Sequence, residues 1–353
     1  MRKISSLQAW RALFIIMICI EHMALTNKLS FFAAGGEGVT FFIVLSGFLM
    51  SYVYMNRIED YSIKSQKEFL LKKVRKFYPL HILALLAALL LSVLVVLKNE
   101  GIAIASLVDL LVKAVLNALF LQVYIPIDGI YMNNINGVVW FLSTIVFCYA
   151  NSIFALRVVK KMDKKKNVLV GIVLSIILHT VIVEVFRRSE YRSFILYVCP
   201  IFRFIEYFIG MLIGKWFVSC KKDLNKIKAT IWELFAIVIF MMNHISIKNG
   251  FWASKGILYN YLTLTTTIII VVVFAFQAGY ISSLLNNRVL VYIGDVSFEI
   301  YIMHQVIIKY ATTALGWNNL AAIVSAIIII ICAVLANKYF EQIKSKISLL
   351  RNM

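Results

Sequence analysis

Apolar residues run through this chain in long stretches separated by short polar loops, and over most of its length neither a strand period nor an amphipathic helix period breaks the stretches up. Ten of them are long enough to cross a bilayer as helices, at about Leu7–Leu25, Gly38–Met55, Tyr78–Leu97, Val138–Leu156, Val168–Phe186, Phe194–Phe217, Thr230–Ile247, Ile257–Ala278, Val296–Ala311 and Leu320–Ala336. An eleventh, Leu107–Tyr124, reads differently. Asp109, Lys113 and Asn117 fall four residues apart and draw a polar stripe down one helix face, which predicts an interfacial or re-entrant helix on the outer side. The pattern therefore predicts an all-α, polytopic membrane protein of about ten spans, one integral membrane domain over residues 1–353 with no soluble domain.

Composition strengthens that reading. The chain is 62% hydrophobic and 15% charged, with 3 prolines in 353 residues, outside the range of soluble domains. Its formal charge of +19 raises nucleic acid as a partner, but the cations cluster in loops between apolar runs, without aromatic interleaving or a DNA-reading motif, so no nucleic-acid partner is expected. Placing the N-terminus in the cytosol puts about three times as many Lys and Arg on the inner side as on the outer, which predicts both termini inside and the cytoplasmic (plasma) membrane as the location. The first stretch, preceded by Arg2 and Lys3 and lacking a small-residue cleavage pattern, reads as a retained signal anchor. Five cysteines without CxxC spacing read as small core residues, and five dispersed histidines make no metal site.

Charges inside the apolar stretches mark where chemistry is expected. The first stretch holds Arg11, Glu21 and His22. Eleven positions at about 100° each come to three turns plus ~20°, so Arg11 and His22 share a face about 16 Å apart while Glu21 points elsewhere. Arg203 and Glu206, three apart in the sixth stretch, can pair and neutralise each other as a structural clamp. Gly210 and Gly214 permit close helix approach. His179 and His244 read as hydrogen-bonded structural residues and His81 as an interface histidine. The loop Arg57–Lys76 has two readings: a topology signal touching anionic lipid, or a site where Lys72, Lys73, Arg75 and Lys76 hold the phosphates of a cytosolic nucleotide. Pro79, just beyond, is expected at the first turn of the third span, where proline costs little.

Several pieces taken together resemble the acyltransferase-3 family of membrane acyltransferases. Arg11 and His22 match its R-x10-H signature. GVTFFIVLSGFLMS, with Ser46 and Gly47, looks like its second-helix element, and FLLKKVRKFYPLHIL is similar to its basic run entering the third helix. RFIEYFIGMLIG resembles its R-x-x-E-F-x-x-G element, and GDVSFEIYIMHQ its late S-[YF]-x-x-Y-x-x-H element through Ser297, Tyr301 and His304. There are two departures. Lys73 and Lys76 stand where the family often has arginines, replacing a planar fork by a point donor. Ile145 stands in WFLSTIVFCY where the family has a glutamate, although Tyr149 is kept.

The resemblance implies transfer of an acyl group, by default acetyl from acetyl-CoA as co-substrate and without a metal, to a hydroxyl of a glycan or glycolipid. Resemblance to compact, domain-free relatives implies a surface or capsular polysaccharide as acceptor, with lipid-linked oligosaccharide and peptidoglycan as the alternatives. In that chemistry a neutral His22 takes the proton of the attacking hydroxyl, and Arg11, too far along the helix to touch it, holds the donor or polarises a carbonyl. Glu21, Ser46, Arg203, Glu206, Ser297, Tyr301 and His304 are supporting candidates. Covalent acyl transfer through His22 and direct transfer both stand, and oligomeric state is left open. The rival class is a transporter or flippase for a glycan or lipid, since buried charges also mark substrate pathways.

Overall fold

In a computed structural model the chain is helical throughout, with no strand among the described residues, which are 3–23, 27–132, 135–220, 224–250 and 257–351. Ala24 and Leu25 of the first predicted span, and positions 133 and 134 of the loop after the striped segment, lie outside them. The main helices are α1 (Ser5–His22), α2 (Gly35–Tyr54), α3 (Ile63–Glu100), α4 (Ile104–Ala118), α5 (Val139–Lys160), α6 (Lys165–Phe186), α7 (Pro200–Val218), α8 (Lys226–Lys248), α9 (Ile257–Ala275), α10 (Arg288–Asp295), α11 (Ser297–Leu315) and α12 (Asn319–Arg351).

Seven helices are long and apolar enough among the described residues to cross a membrane: α2, α3, α5, α6, α7 with the turn before it, α8 and α12. The pair α10 and α11, bent by 68° at its break, makes an eighth. The charged α1 and the shorter α9 occupy the places of the other two predicted spans. This is a multi-pass membrane protein. In α2, 72% of the apolar window is buried within the protein, against 17% in α6. Without water, burial sorts helices by whether protein or lipid covers them, so α2 is an inner helix and α6 a peripheral one.

The centre of the bundle is the crossing of α2 and α7. A Cβ on Gly47 would lie 1.8 Å from the Tyr207 carbonyl oxygen, and one on Gly210 would lie 2.0 Å from that of Val44, so the two backbones touch where each lacks a side chain. Beside this crossing a π turn, Phe194–Val198, runs into Pro200 at the start of α7. Proline supplies no N–H, and the carbonyls freed there are satisfied by side chains: Thr144 donates to Val198 O at 3.2 Å and Arg203 Nε to Tyr197 O at 2.7 Å.

Pro79 does not open a span. It lies inside α3, which begins fifteen residues earlier than expected, with Ser62 as its N-cap accepting from the Ser65 amide at 3.2 Å. Hydrogen bonds from the Ser62 hydroxyl and amide hold the exposed Asp60 carboxyl below its usual range. The proline removes the bond to the Arg75 carbonyl in a segment where Arg75 and Lys76 are exposed, so that oxygen can be served by water. α3 ends at Gly101, whose φ of +69° suits glycine.

With 15 residues, α4 reaches about 22 Å, too short for a ~30 Å hydrocarbon core. Its stripe is used internally. Lys113 pairs with Asp109 at 2.6 Å, Asn117 donates to Lys113 O at 2.8 Å, and the Asn117 carbonyl meets His81 Nε2 of α3 at 3.1 Å.

One buried carboxylate has no precedent in the sequence reading. Glu233 of α8, 1% exposed, accepts from the amides of Gly279, Ile281 and Ser282 and from the Ser282 hydroxyl, fixing the chain that leads to α10. Glu233→Ala orphans four donors, three of them buried, and is expected to lower stability by about 3 kcal/mol, measurable as thermal unfolding in detergent against Glu233→Gln, which keeps part of the network.

Candidate functional site

Arg11, on the second turn of α1, donates from Nη2 to Ser297 Oγ at 2.9 Å and from Nη1 to Gln8 Oε1 at 3.2 Å. Its Nε is buried with no partner among the described residues. Ser297 is the first residue of α11, and its hydroxyl in turn donates to Gly294 O at 2.8 Å. The bend between α10 and α11 sets that serine over Arg11, and it depends on close packing: a Cβ on Gly294 would lie 2.0 Å from Gln8 O.

His22 closes the same helix. Its ring lies 5.2 Å from that of His304, two turns beyond Ser297 on α11. Both members of the R-x10-H pair thus face one helix, through its first residue and its eighth. His304 is fully buried, and its Nδ1 donates to Tyr301 O at 2.7 Å. A neutral ring so tethered carries its lone pair on Nε2, and that atom has no partner among the described residues. The Tyr301 ring stands 5.5 Å from His304 and 4.9 Å from Phe141, and its hydroxyl donates to Val138 O at 2.9 Å.

A cavity of about 430 Å³ lies between α1, α2, α3, α5 and the α10–α11 bend. Arg11, Lys73, Lys76 and Ser297 line its basic part; His22 and His304 do not line it, and their link to it is Tyr301, a lining residue whose ring stands against His304. Ser46 lines it too, with its hydroxyl donating to Phe42 O at 2.6 Å. Asp295 and Glu299 add two carboxylates, while Ile145 makes an apolar wall at the position where the family has its glutamate.

Lys73 is boxed by rings. Its amine lies 4.7 Å from the Tyr54 centroid, 5.1 Å from Tyr149 and 5.2 Å from Phe69. Cation–π attraction on three sides fixes a side chain that is otherwise floppy. Gln66 braces the box, donating to Tyr149 O at 2.7 Å and accepting from the Ile153 amide at 2.8 Å. Tyr54 lies at the end of the second apolar stretch, Gln66 and Phe69 in the basic loop and Tyr149 in the stretch from Val138, and no local sequence signal joins the three segments. Lys72 and Arg75, on the other faces of α3, are exposed and do not line the cavity.

The remaining candidates stand apart from the cavity. Glu21 accepts from the Gly35 amide at the start of α2, where the helix dipole favours a carboxylate. Arg203 and Glu206 pair at 2.8 Å, 2% and 3% exposed, with His179 of α6 at 3.5 Å from Glu206 and Thr40 of α2 at 3.2 Å from Arg203. This cluster ties three helices at the π turn. His244 likewise bridges Glu37, at 2.9 Å, and Phe31 O, at 2.6 Å.

A family model described as an acyltransferase domain matches residues 4–338. No curated protein and no solved structure matches the chain.

Proposed function

We propose, for a chain that belongs to the acyltransferase-3 family and is therefore a membrane acyltransferase, that it moves an acetyl group from cytosolic acetyl-CoA to a hydroxyl of a surface or capsular polysaccharide, or of its lipid-linked precursor, as an O-acyltransferase of the cytoplasmic membrane. The observation that carries this reading is the cavity whose basic end holds Arg11, Lys73 and Lys76 and whose other side, at Tyr301, backs onto the His22–His304 pair.

Anionic and apolar requirements separate along that axis. The nucleotide phosphates meet the caged Lys73 and the exposed Lys76, with both termini in the cytosol as the loop charges favour. The pantetheine arm extends past Arg11 and Ser46, and the spacing of about 16 Å between Arg11 and His22 is comparable to its reach. The acceptor comes from the opposite side.

In the direct route the acceptor hydroxyl gives its proton to His22 as its oxygen attacks the thioester carbonyl. The tetrahedral oxyanion then collapses, the carbon–sulfur bond breaks, and the departing thiolate recovers a proton from His22. In the covalent route the imidazole nitrogen attacks the thioester carbonyl, the carbon–sulfur bond breaks and CoA leaves as its thiolate; the acceptor hydroxyl then attacks the acyl-imidazole, the carbon–nitrogen bond breaks to return the ring, and the hydroxyl proton ends on the CoA thiolate. His304, with Nδ1 committed to Tyr301 O, keeps a fixed ring against that of His22, 5.2 Å away.

The test is purified protein in liposomes given acetyl-CoA labelled in the acetyl group, with ester content of the glycan compared between a deletion strain and its parent. Label passing to an alkali-labile ester, together with glycan ester lost on deletion, supports the reading. Glycan crossing the bilayer without consumption of acetyl-CoA refutes it in favour of transport.

A further inference from the structure

A second cavity, of about 240 Å³, adjoins the first at Arg11, which lines both, and is completed by Lys3, Gln8, Tyr52 and Arg57. We propose that it is a phosphate site distinct from the Lys73–Lys76 end, and that it takes the phosphate monoester on the ribose of the acyl donor's nucleotide while the diphosphate lies against Lys73 and Lys76. The proposal rests on the donor reading above and deepens it.

Charge decides which phosphate goes where. The first cavity sets Arg11, Lys73 and Lys76 against Asp295 and Glu299, whereas the second is lined by Lys3, Arg11 and Arg57 with no carboxylate. Lys3 is offset by Asp295 at 2.5 Å, which leaves the two guanidinium groups in excess. Phosphates within a diphosphate bridge carry about one charge each near neutral pH, and a monoester carries nearly two. The dianion gains most where cations are not already neutralised, and guanidinium forks match its oxygens.

A second observation points the same way. Arg11 lines both cavities, and its Nη1 and Nη2 are held by Gln8 and Ser297, so its guanidinium is fixed between the two rather than free to swing to one of them. Arg57 is exposed, so changing it tests the site without disturbing the core.

The experiment is calorimetric titration of the full chain, in nanodiscs of phosphatidylcholine, with CoA and with 3′-dephospho-CoA, which lacks only the monoester. Wild type is expected to bind CoA about tenfold more tightly than the dephospho form, as one charge-assisted contact allows. Arg57→Gln should erase most of that preference and leave dephospho-CoA affinity unchanged, with Arg57→Lys between the two. Equal binding of the two ligands by wild type, or equal weakening of both by Arg57→Gln, overturns the proposal while leaving the donor reading intact. Failure of wild type to bind either ligand removes the donor reading itself, and the proposal with it. A preference that disappears when phosphatidylglycerol replaces phosphatidylcholine assigns the cavity to a lipid headgroup and also overturns it.

Discussion

His22→Ala is expected to lower acetyl transfer by at least about a hundredfold, the lower range for loss of a positioned general base, while the affinity for acetyl-CoA changes less than about twofold. The asymmetry follows from the axis of the site. Donor-binding cations sit with Arg11, Lys73 and Lys76 around the cavity, and His22 lies at the far end of α1 against His304. Removing its imidazole deletes the proton acceptor without touching the phosphate contacts, so kcat falls and donor KM does not rise. Initial rates in liposomes with labelled acetyl-CoA give kcat, and calorimetry on the same preparation gives donor affinity. Because His22 is half-buried at a helix end, the variant should keep the wild-type gel-filtration profile, which separates lost chemistry from lost fold. Turnover retained within a factor of a few would remove His22 from the mechanism and move the base to the one other imidazole it faces, on His304.

How much of this could be read beforehand depends on the kind of signal. Arg11 and His22 were legible because charge in an apolar run is expensive and helical spacing puts them on one face. That both meet α11 was foreshadowed only by Ser297 and His304 falling in one resemblance element. The spans were legible from apolar length, and the non-crossing α4 from its stripe. What escaped depends on contacts between distant segments. The lysines of the basic run look alike in sequence, yet only Lys73 turns into a box made by Tyr54, Phe69 and Tyr149. The early start of α3 escaped because its first turns are polar, and Pro79 looked like a boundary. The 68° bend before Ser297 escaped because Arg288–Asp295 is too short and too mixed to register as part of a span.

Gly210→Ala should destabilise the protein by roughly 3 kcal/mol, the upper end of overpacking costs. The added Cβ would lie 2.0 Å from Val44 O and 2.9 Å from the Phe48 amide nitrogen, atoms of the backbone of α2 that cannot rotate away. Gly47→Ala meets the Tyr207 carbonyl from the other side at 1.8 Å and should behave alike. The control is Gly171→Ala, where the nearest atoms are the Leu212 methyls at 3.4 and 3.5 Å, with an expected change within about 0.5 kcal/mol. Thermal unfolding in one detergent orders the three. Activity should fall with stability at Gly210 and Gly47 but not at Gly171, since Leu45 and Ser46, beside Gly47, form the α2 wall of the cavity. An α2 pushed off α7 widens that wall and raises the donor KM. Two sequence elements that look unrelated, the second-helix SGF and the later R-x-x-E-F-x-x-G, therefore have a common physical reason: each supplies the glycine that lets the other's helix come close enough to shape the cavity. A Gly210→Ala protein as stable as Gly171→Ala would break that link and leave the two elements without a structural account.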